Sequence, residues 1–147
     1  MPDILHRVGV RTTDPTQVYA ALTTIDGLAR WWTEDTTGTA DAGGKVEFRF
    51  SGRGGADIEV TAATAPSHVA WRFVAGPDEW VGTTIDWTIR PEGEWTIVLF
   101  THAGWREAGE FMHHCSTRWG IFLMSLKASV ETGTGAPVPR DVKTDNW

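Results

Sequence analysis

The chain has one cysteine, Cys115, and no apolar run approaching the 18 or so residues needed to cross a bilayer. A single cysteine excludes an internal disulfide. It fits a reducing, cytoplasmic setting, where thiols stay free. The opening residues, MPDILHRVGV, lack the apolar core of a secretion signal. Basic residues are also sparse, 13 Lys and Arg against 19 Asp and Glu, for a net charge of −6. They are scattered rather than clustered, which argues against nucleic acid and anionic membrane as partners. Nucleotide and nucleophile motifs are missing too. The glycine-rich SGRGG (51–55) lies between two strand patterns, so it reads as a hairpin turn and not a phosphate loop.

What the chain has in excess is tryptophan, nine in 147 residues. Each indole buries roughly 150–250 Å², several kcal/mol at about 25 cal/mol per Å² as an upper bound. That is more aromatic surface than stability alone requires. Two readings follow: some of it lines a cavity or an interface, or all of it fills a core. The stretch GLARWWTED (27–35) sharpens the choice. Adjacent helical residues point in different directions, so at most one of Trp31 and Trp32 is expected to face straight into a core.

Periodicity divides the chain into elements. ILHRVGVRT (4–12) alternates as a half-buried strand does. DPTQ (14–17) then opens a helix, with Asp14 as cap, Pro15 at the first helical position and Gln17 placed for a capping box. Asp26-Gly27 reads as a break before a short second helix, LARWW (28–32). Five strand patterns follow, at 45–50, 56–65, 68–75, 83–90 and 95–102, separated by short turns. Short turns imply antiparallel neighbours and a meander. From about Glu107 the period changes: Phe111, Cys115, Trp119, Phe122, Leu126 and Val130 mark one face of a long helix. At 1.5 Å per residue it spans about 37 Å, enough to cross a sheet. Gly133 is its expected stop. The closing segment, rich in Pro, Gly and polar residues, is expected to be loose. The expected organisation is one domain over residues 1–136 and a tail over 137–147. The fold class is α+β, a six-stranded antiparallel sheet curled around a long C-terminal helix.

Three segments, DPTQVYAALTTIDGLARWW (14–32), FTHAGW (100–105) and STRWGIFLMSLKASVETGTGAP (116–137), resemble the START-like (SRPBCC) superfamily of helix-grip folds. Within it the chain is similar to the branch named for activators of the heat-shock-protein-ninety ATPase. Trp119, Leu123, Leu126-Lys127 and Gly133 carry the most specific part of the likeness. The resemblance implies an apolar cavity between sheet and long helix, with the two short helices closing one end. One of Trp31 and Trp32 then packs on the sheet and the other sits at the cavity mouth. The expected ligand-binding set is Trp31, Trp32, Phe48, Trp71, Phe73, Trp87, Phe111, His114, Arg118 and Phe122.

Arg118 is the most informative of these. It lies between Phe111 and Phe122 on the apolar stripe, flanked by His114 and Ser125. A charge there faces the cavity or pairs with a carboxylate, for which Glu47, Glu59 and Asp86 are the strand candidates. It binds a carboxylate or phenolate on a greasy ligand, or it is a structural ion pair, or it snorkels out at the helix edge. His113, His114 and Cys115 are consecutive, so they splay around the helix and do not converge on one metal ion. No metal and no cofactor is expected. His102 is expected to be a turn histidine bonded to its loop, with acid–base work as the alternative. WTIVLFTH (95–102) is apolar on both faces, which leaves Val98 and Phe100 to a neighbouring edge or a homodimer contact.

Three functions compete. The first is binding of a mid-sized hydrophobic or aromatic molecule in the cavity. The second is an enzyme of cyclase, dehydratase or hydrolase type using His102, His114 or Arg118, although spacing brings no titratable pair together. The third is stimulation of a chaperone ATPase, as the branch name implies, without the extra domain or arm that the branch's co-chaperones carry.

Overall fold

The computed structural model describes residues 1–147. The chain runs β1 (Ile4–Val10), α1 (Pro15–Thr23), α2 (Ile25–Trp31), β2 (Asp35–Gly38), β3 (Lys45–Arg49), β4 (Gly55–Thr64), β5 (His68–Ala75), β6 (Thr84–Glu92), β7 (Trp95–Ala103) and α3 (Glu110–Thr132). Every neighbouring pair of strands is antiparallel, in the order β1-β7-β6-β5-β4-β3-β2. Strands β2 to β7 form a meander. β1 joins its far side, so α1 and α2 cross from one sheet edge to the other.

The sheet has seven strands rather than six. The missed strand, β2 (DTTG), is four residues long and buries only Thr36. A short polar edge strand carries no apolar alternation to read. The break expected at Asp26-Gly27 is also absent. Thr24 caps α2 by accepting the Gly27 N–H at 3.0 Å, and the helix runs through both residues. Glycine is needed there for another reason: a Cβ would lie 2.7 Å from the Ala20 carbonyl oxygen of α1. Asp14 caps α1 through the Thr16 N–H, but Gln17 does not close a capping box. It accepts from Thr12 Oγ1 at 3.4 Å, and Thr12 instead accepts the Asp14 N–H.

Alternation sorts the strands into an inner and an outer face. Val46 and Phe48, Ile58 and Val60, Trp71 and Phe73, Ile85 and Trp87, and Val98 and Phe100 all point inward and are buried. The face of β7 that was expected to lack cover is therefore the core face. Trp95 and Leu99 lie on the outer side, where Trp95 packs over Gly9 with Arg11 and Lys127 against its ring, 5.0 and 4.9 Å from the centroid. Val98 and Phe100 thus supply no motive for a dimer.

Helix α3 fills the concave side. Its stripe meets the sheet through Cys115, Trp119, Phe122, Leu123 and Leu126, and Gly133 ends it in the left-handed conformation at φ 82°. Lys127 reaches over the free edge of β1 to the Gly9 carbonyl at 2.6 Å, while its neighbour Glu131 accepts the Arg11 N–H. A helix thus closes an edge that would otherwise invite strand pairing.

The closing segment is not loose. Val138 is buried, its N–H donates to the Trp32 carbonyl at 2.9 Å, and its own carbonyl accepts from Glu34 N at 3.0 Å. Ser125 anchors the approach: its hydroxyl donates to the Trp31 carbonyl and accepts the Ala136 N–H, both at 2.8 Å. This leads the last ten residues back across the front of α3.

Candidate functional site: an aromatic cavity under the C-terminal strap

Trp31 and Trp32 are both buried, at 0% and 1% exposure. The expectation that at most one of them faces the core is not met, because the two indoles stack on each other and both are enclosed by the aromatic core. Trp32 is the C-cap residue, at φ −100° and ψ −75°, and its ring lies nearly parallel to that of Trp31, 5.7 Å away. Their roles still differ. Trp31 is pinned into the core by its indole N–H, which donates to the Ala21 carbonyl at 2.9 Å. Trp32 stacks on Trp71 at 5.4 Å, and its indole N–H has no acceptor in the protein. Trp32 is the one on the wall of a cavity.

That cavity holds about 380 Å³, toward the lower end of small-molecule sites. It opens between the N-terminal half of α3, the β3–β4 turn, the β5–β6 loop and the C-terminal strap. Five of the ten residues expected to bind ligand line it: Trp32, Phe111, His114, Arg118 and Phe122. The other five, Trp31, Phe48, Trp71, Phe73 and Trp87, sit behind it in the packed core. Sequence reasoning missed Phe50, Arg53, Trp80, Trp119 and the strap residues Lys143, Thr144 and Trp147 as lining. Trp119 was legible from its place on the helical stripe. The strap was not, because nothing local in its sequence fixes where it docks.

The SGRGG stretch is a hairpin turn, as read. Ser51 adopts a positive φ of 49° there, and the turn carries Arg53 to the cavity rim. The strand acids expected to meet Arg118 do not. Glu47, Glu59 and Asp86 each neighbour inward-facing residues in sequence, so they point outward. Glu59 pairs with Arg72 and Asp86 with His68 on the outer face. The partner of Arg118 is Asp141 of the strap. Arg53 holds the same carboxylate through both oxygens, at 3.1 and 3.2 Å. Arg118 also donates to the Val142 carbonyl at 2.6 Å and lies over the Phe122 ring at 4.7 Å. The Asp141 side chain is 3% exposed and that of Arg118 12%. Burial pushes the Asp141 carboxyl up, but its hydrogen bonds to Arg118 and Arg53 outweigh this and hold it below the usual carboxylate range.

A second pin lies further along. His114 Nδ1 is 2.5 Å from Asp145 Oδ2, and this bond lowers the Asp145 carboxyl. Trp147 closes the mouth, its ring 4.9 Å from that of His114. Three cationic side chains, Arg53, Arg118 and Lys143, line the cavity together with His114, and no acidic residue does.

His102 is not a turn histidine. It points into the core from β7, is fully buried, and joins a continuous chain of hydrogen bonds. Trp119 donates its indole N–H to His102 Nδ1 at 3.1 Å. Nε2 then carries the proton toward Thr83 Oγ1 at 2.8 Å, and Thr83 donates to the Trp80 carbonyl at 2.6 Å. Burial drops the His102 pKa from 6.5 to about 3, so the ring stays neutral and serves as a strut between the cavity walls Trp80 and Trp119. Burial also pushes the Cys115 thiol up to about 12, so it is no nucleophile at neutral pH. His113 turns to the Gly109 carbonyl, His114 to Asp145 and Cys115 inward, so the three diverge.

A curved antiparallel sheet gripping a C-terminal helix, with an aromatic cavity at one end, defines a helix-grip protein of the START-like superfamily. The chain belongs to the family described as Activator of Hsp90 ATPase homolog 1-like protein, whose model matches residues 12–131. It is similar to the Aha1 dimer from Colwellia psychrerythraea, with 43% identity, a TM-score of 0.83, and coverage of 92% of this chain and 100% of that one. Two more distant structures share the fold. Protein SSP2350 from Staphylococcus saprophyticus has 15% identity and a TM-score of 0.75 over 91% of this chain and 95% of that one. BH1534 from Bacillus halodurans has 22% identity and a TM-score of 0.71 over 89% and 98%. No curated protein matches significantly. No helix is long and apolar enough to cross a membrane.

Proposed function

We propose that this protein binds a mid-sized hydrophobic or aromatic small molecule in the cavity between the sheet and α3. One observation carries the reading. In a core otherwise filled by stacked aromatics, about 380 Å³ remains open beside Trp32, Trp119 and Phe122. Burying apolar surface there drives association at about 25 cal/mol per Å² before binding costs. A cytoplasmic location accords with the lone reduced cysteine.

The test is native mass spectrometry of protein gently purified from its own host, followed by tryptophan fluorescence with a panel of lipids and aromatics. An extra mass that vanishes on denaturation is expected. A clean apo mass with no fluorescence response would move the function to a protein partner.

Two further roles have a specific motive. The Colwellia relative is described as a dimer, so we expect a homodimer here, to be read from sedimentation at high concentration. The family's description motivates stimulation of a chaperone ATPase, and a flat response of a purified chaperone would remove it. Catalysis has one candidate group: His114, oriented by Asp145 beside the cavity, as a general base. Binding is preferred because no activated nucleophile accompanies it.

A further inference from the structure

We propose that the cavity's ligand is a carboxylic acid with an aromatic or aliphatic body, and that its carboxylate takes the seat now held by Asp141, releasing the C-terminal strap. This rests on the small-molecule reading above and specifies the ligand's chemistry. Three observations support it. First, the charge of the lining runs against that of the chain. Arg53, Arg118 and Lys143 face the cavity without one acid among the lining residues, in a protein of net charge −6. Second, the seat already accepts a carboxylate. Asp141 sits almost wholly buried between two guanidiniums, Arg53 Nη2 reaching both of its oxygens and Arg118 Nη2 one of them, so the seat is built of charge-assisted hydrogen bonds to a carboxylate. Third, the occupant belongs to a detachable element. Beyond Asp141 the strap is held by the Val142 carbonyl on Arg118, the Asp145–His114 pair and the Trp147 ring, while its Lys143, Thr144 and Trp147 form one wall of the cavity.

Exchange of one carboxylate for another is the physical core of the idea. A neutral ligand that displaces Asp141 leaves the largely buried Arg118 guanidinium unpaired and strips the more exposed Arg53 of the same partner, which is costly at Arg118. An acid avoids this, since the cations stay neutralised throughout. The displaced Asp141 moves into water, and the wall it carries swings with it. The strap then acts as an internal competitor. It lowers the apparent affinity for acids by the fraction of time that it is docked.

A matched pair of probes tests this: 2-naphthoate and its uncharged methyl ester, titrated by tryptophan fluorescence. In the wild type the acid is expected to bind at least as well as the ester. In Asp141→Asn the acid should tighten roughly tenfold while the ester is unchanged, since only the acid gains the vacated seat. Arg118→Gln should erase the preference for the acid. Amide resonances from Arg140 to Trp147 should shift with the acid and not with the ester. Should Asp141→Asn fold poorly, Asp145→Asn loosens the strap at an exposed position and should tighten the acid about twofold. If the ester binds and the acid gains nothing in either strap variant, the arginine–aspartate cluster is structural and this inference falls alone. If neither probe binds, the small-molecule reading falls with it.

Discussion

Trp87 and Trp147 are the same residue in opposite circumstances. Trp87 lies at the closed end of the core, edge-on to Trp71 at 5.3 Å and to Phe100 at 4.9 Å, with no exposed surface. Trp147 ends the chain at the open end, half exposed, resting on His114. Around the first, every ring packs against the next from Trp31 to Phe100, the dense interdigitation that resists change. Around the second, aromatic walls enclose space and a strap crosses it. The surplus of tryptophan serves both ends. Stability resides at the closed end, and the capacity to bind is proposed for the open one.

Truncation at the closed end gives the largest expected effect. Trp87→Ala should lower unfolding free energy by about 3–5 kcal/mol, read from urea denaturation. That is a large part of a typical domain's stability. A loss under about 1 kcal/mol would mean that the closed end is not the rigid half.

Acid should act next, through His102. Its folded pKa is depressed from 6.5 to about 3, so the unfolded chain takes up a proton that the folded chain refuses. Stability contributed by the neutral ring is present above pH 6.5 and is lost as pH falls toward 3, by at most about 1.4 kcal/mol per pH unit. Asp141, held low by its arginines, adds loss in the same direction once pH falls below the ordinary carboxylate range. Unfolding midpoints across pH 4–7 should show the slope in the wild type and a flatter one in His102→Gln. Equal slopes in both chains would remove His102 as its source.

The joint between the two ends is Ser125. Ser125→Ala removes both the donor to Trp31 and the acceptor for Ala136, and should cost about 1–2 kcal/mol. Hydrogen exchange at the Ala136 amide should rise before exchange in the strands does. The smallest effect on stability belongs to Trp147→Ala, within about 1 kcal/mol because the site is half exposed. Its affinity for methyl 2-naphthoate should fall all the same. If Trp147→Ala unfolds the protein while Trp87→Ala is silent, the contrast between the two ends is reversed.

Much of this was legible in order along the chain. The stripe from Phe111 to Val130 gave α3 and its inward face, and Gly133 gave its end. Alternation in HVAWRFVA and TTIDWTIR marks the inner face of β5 and β6. Glu59 and Asp86 were expected as possible partners of Arg118, yet the alternation of ADIEVTAATA and TTIDWTIR sets them on the outer face. The polar β2 was not legible, because one buried threonine leaves no pattern. Nor was the continuity of α2 through Gly27, since the glycine answers to the backbone of α1 and not to a break.

Sequence alone determined which residues seek burial, the periods that sort them into strands and a helix, and the family to which those periods and motifs belong. These follow from local backbone geometry, which fixes where each side chain points. Tertiary structure decided which tryptophan meets open space, that His102 is a neutral strut, and that Arg118 is answered from Asp141 rather than from the sheet. Those choices depend on contacts between segments distant in sequence: His102 meets Thr83 and Trp119 across the core, and Asp141 meets Arg118 only where the last ten residues cross the front of α3, so packing and the pairing of buried charge set them.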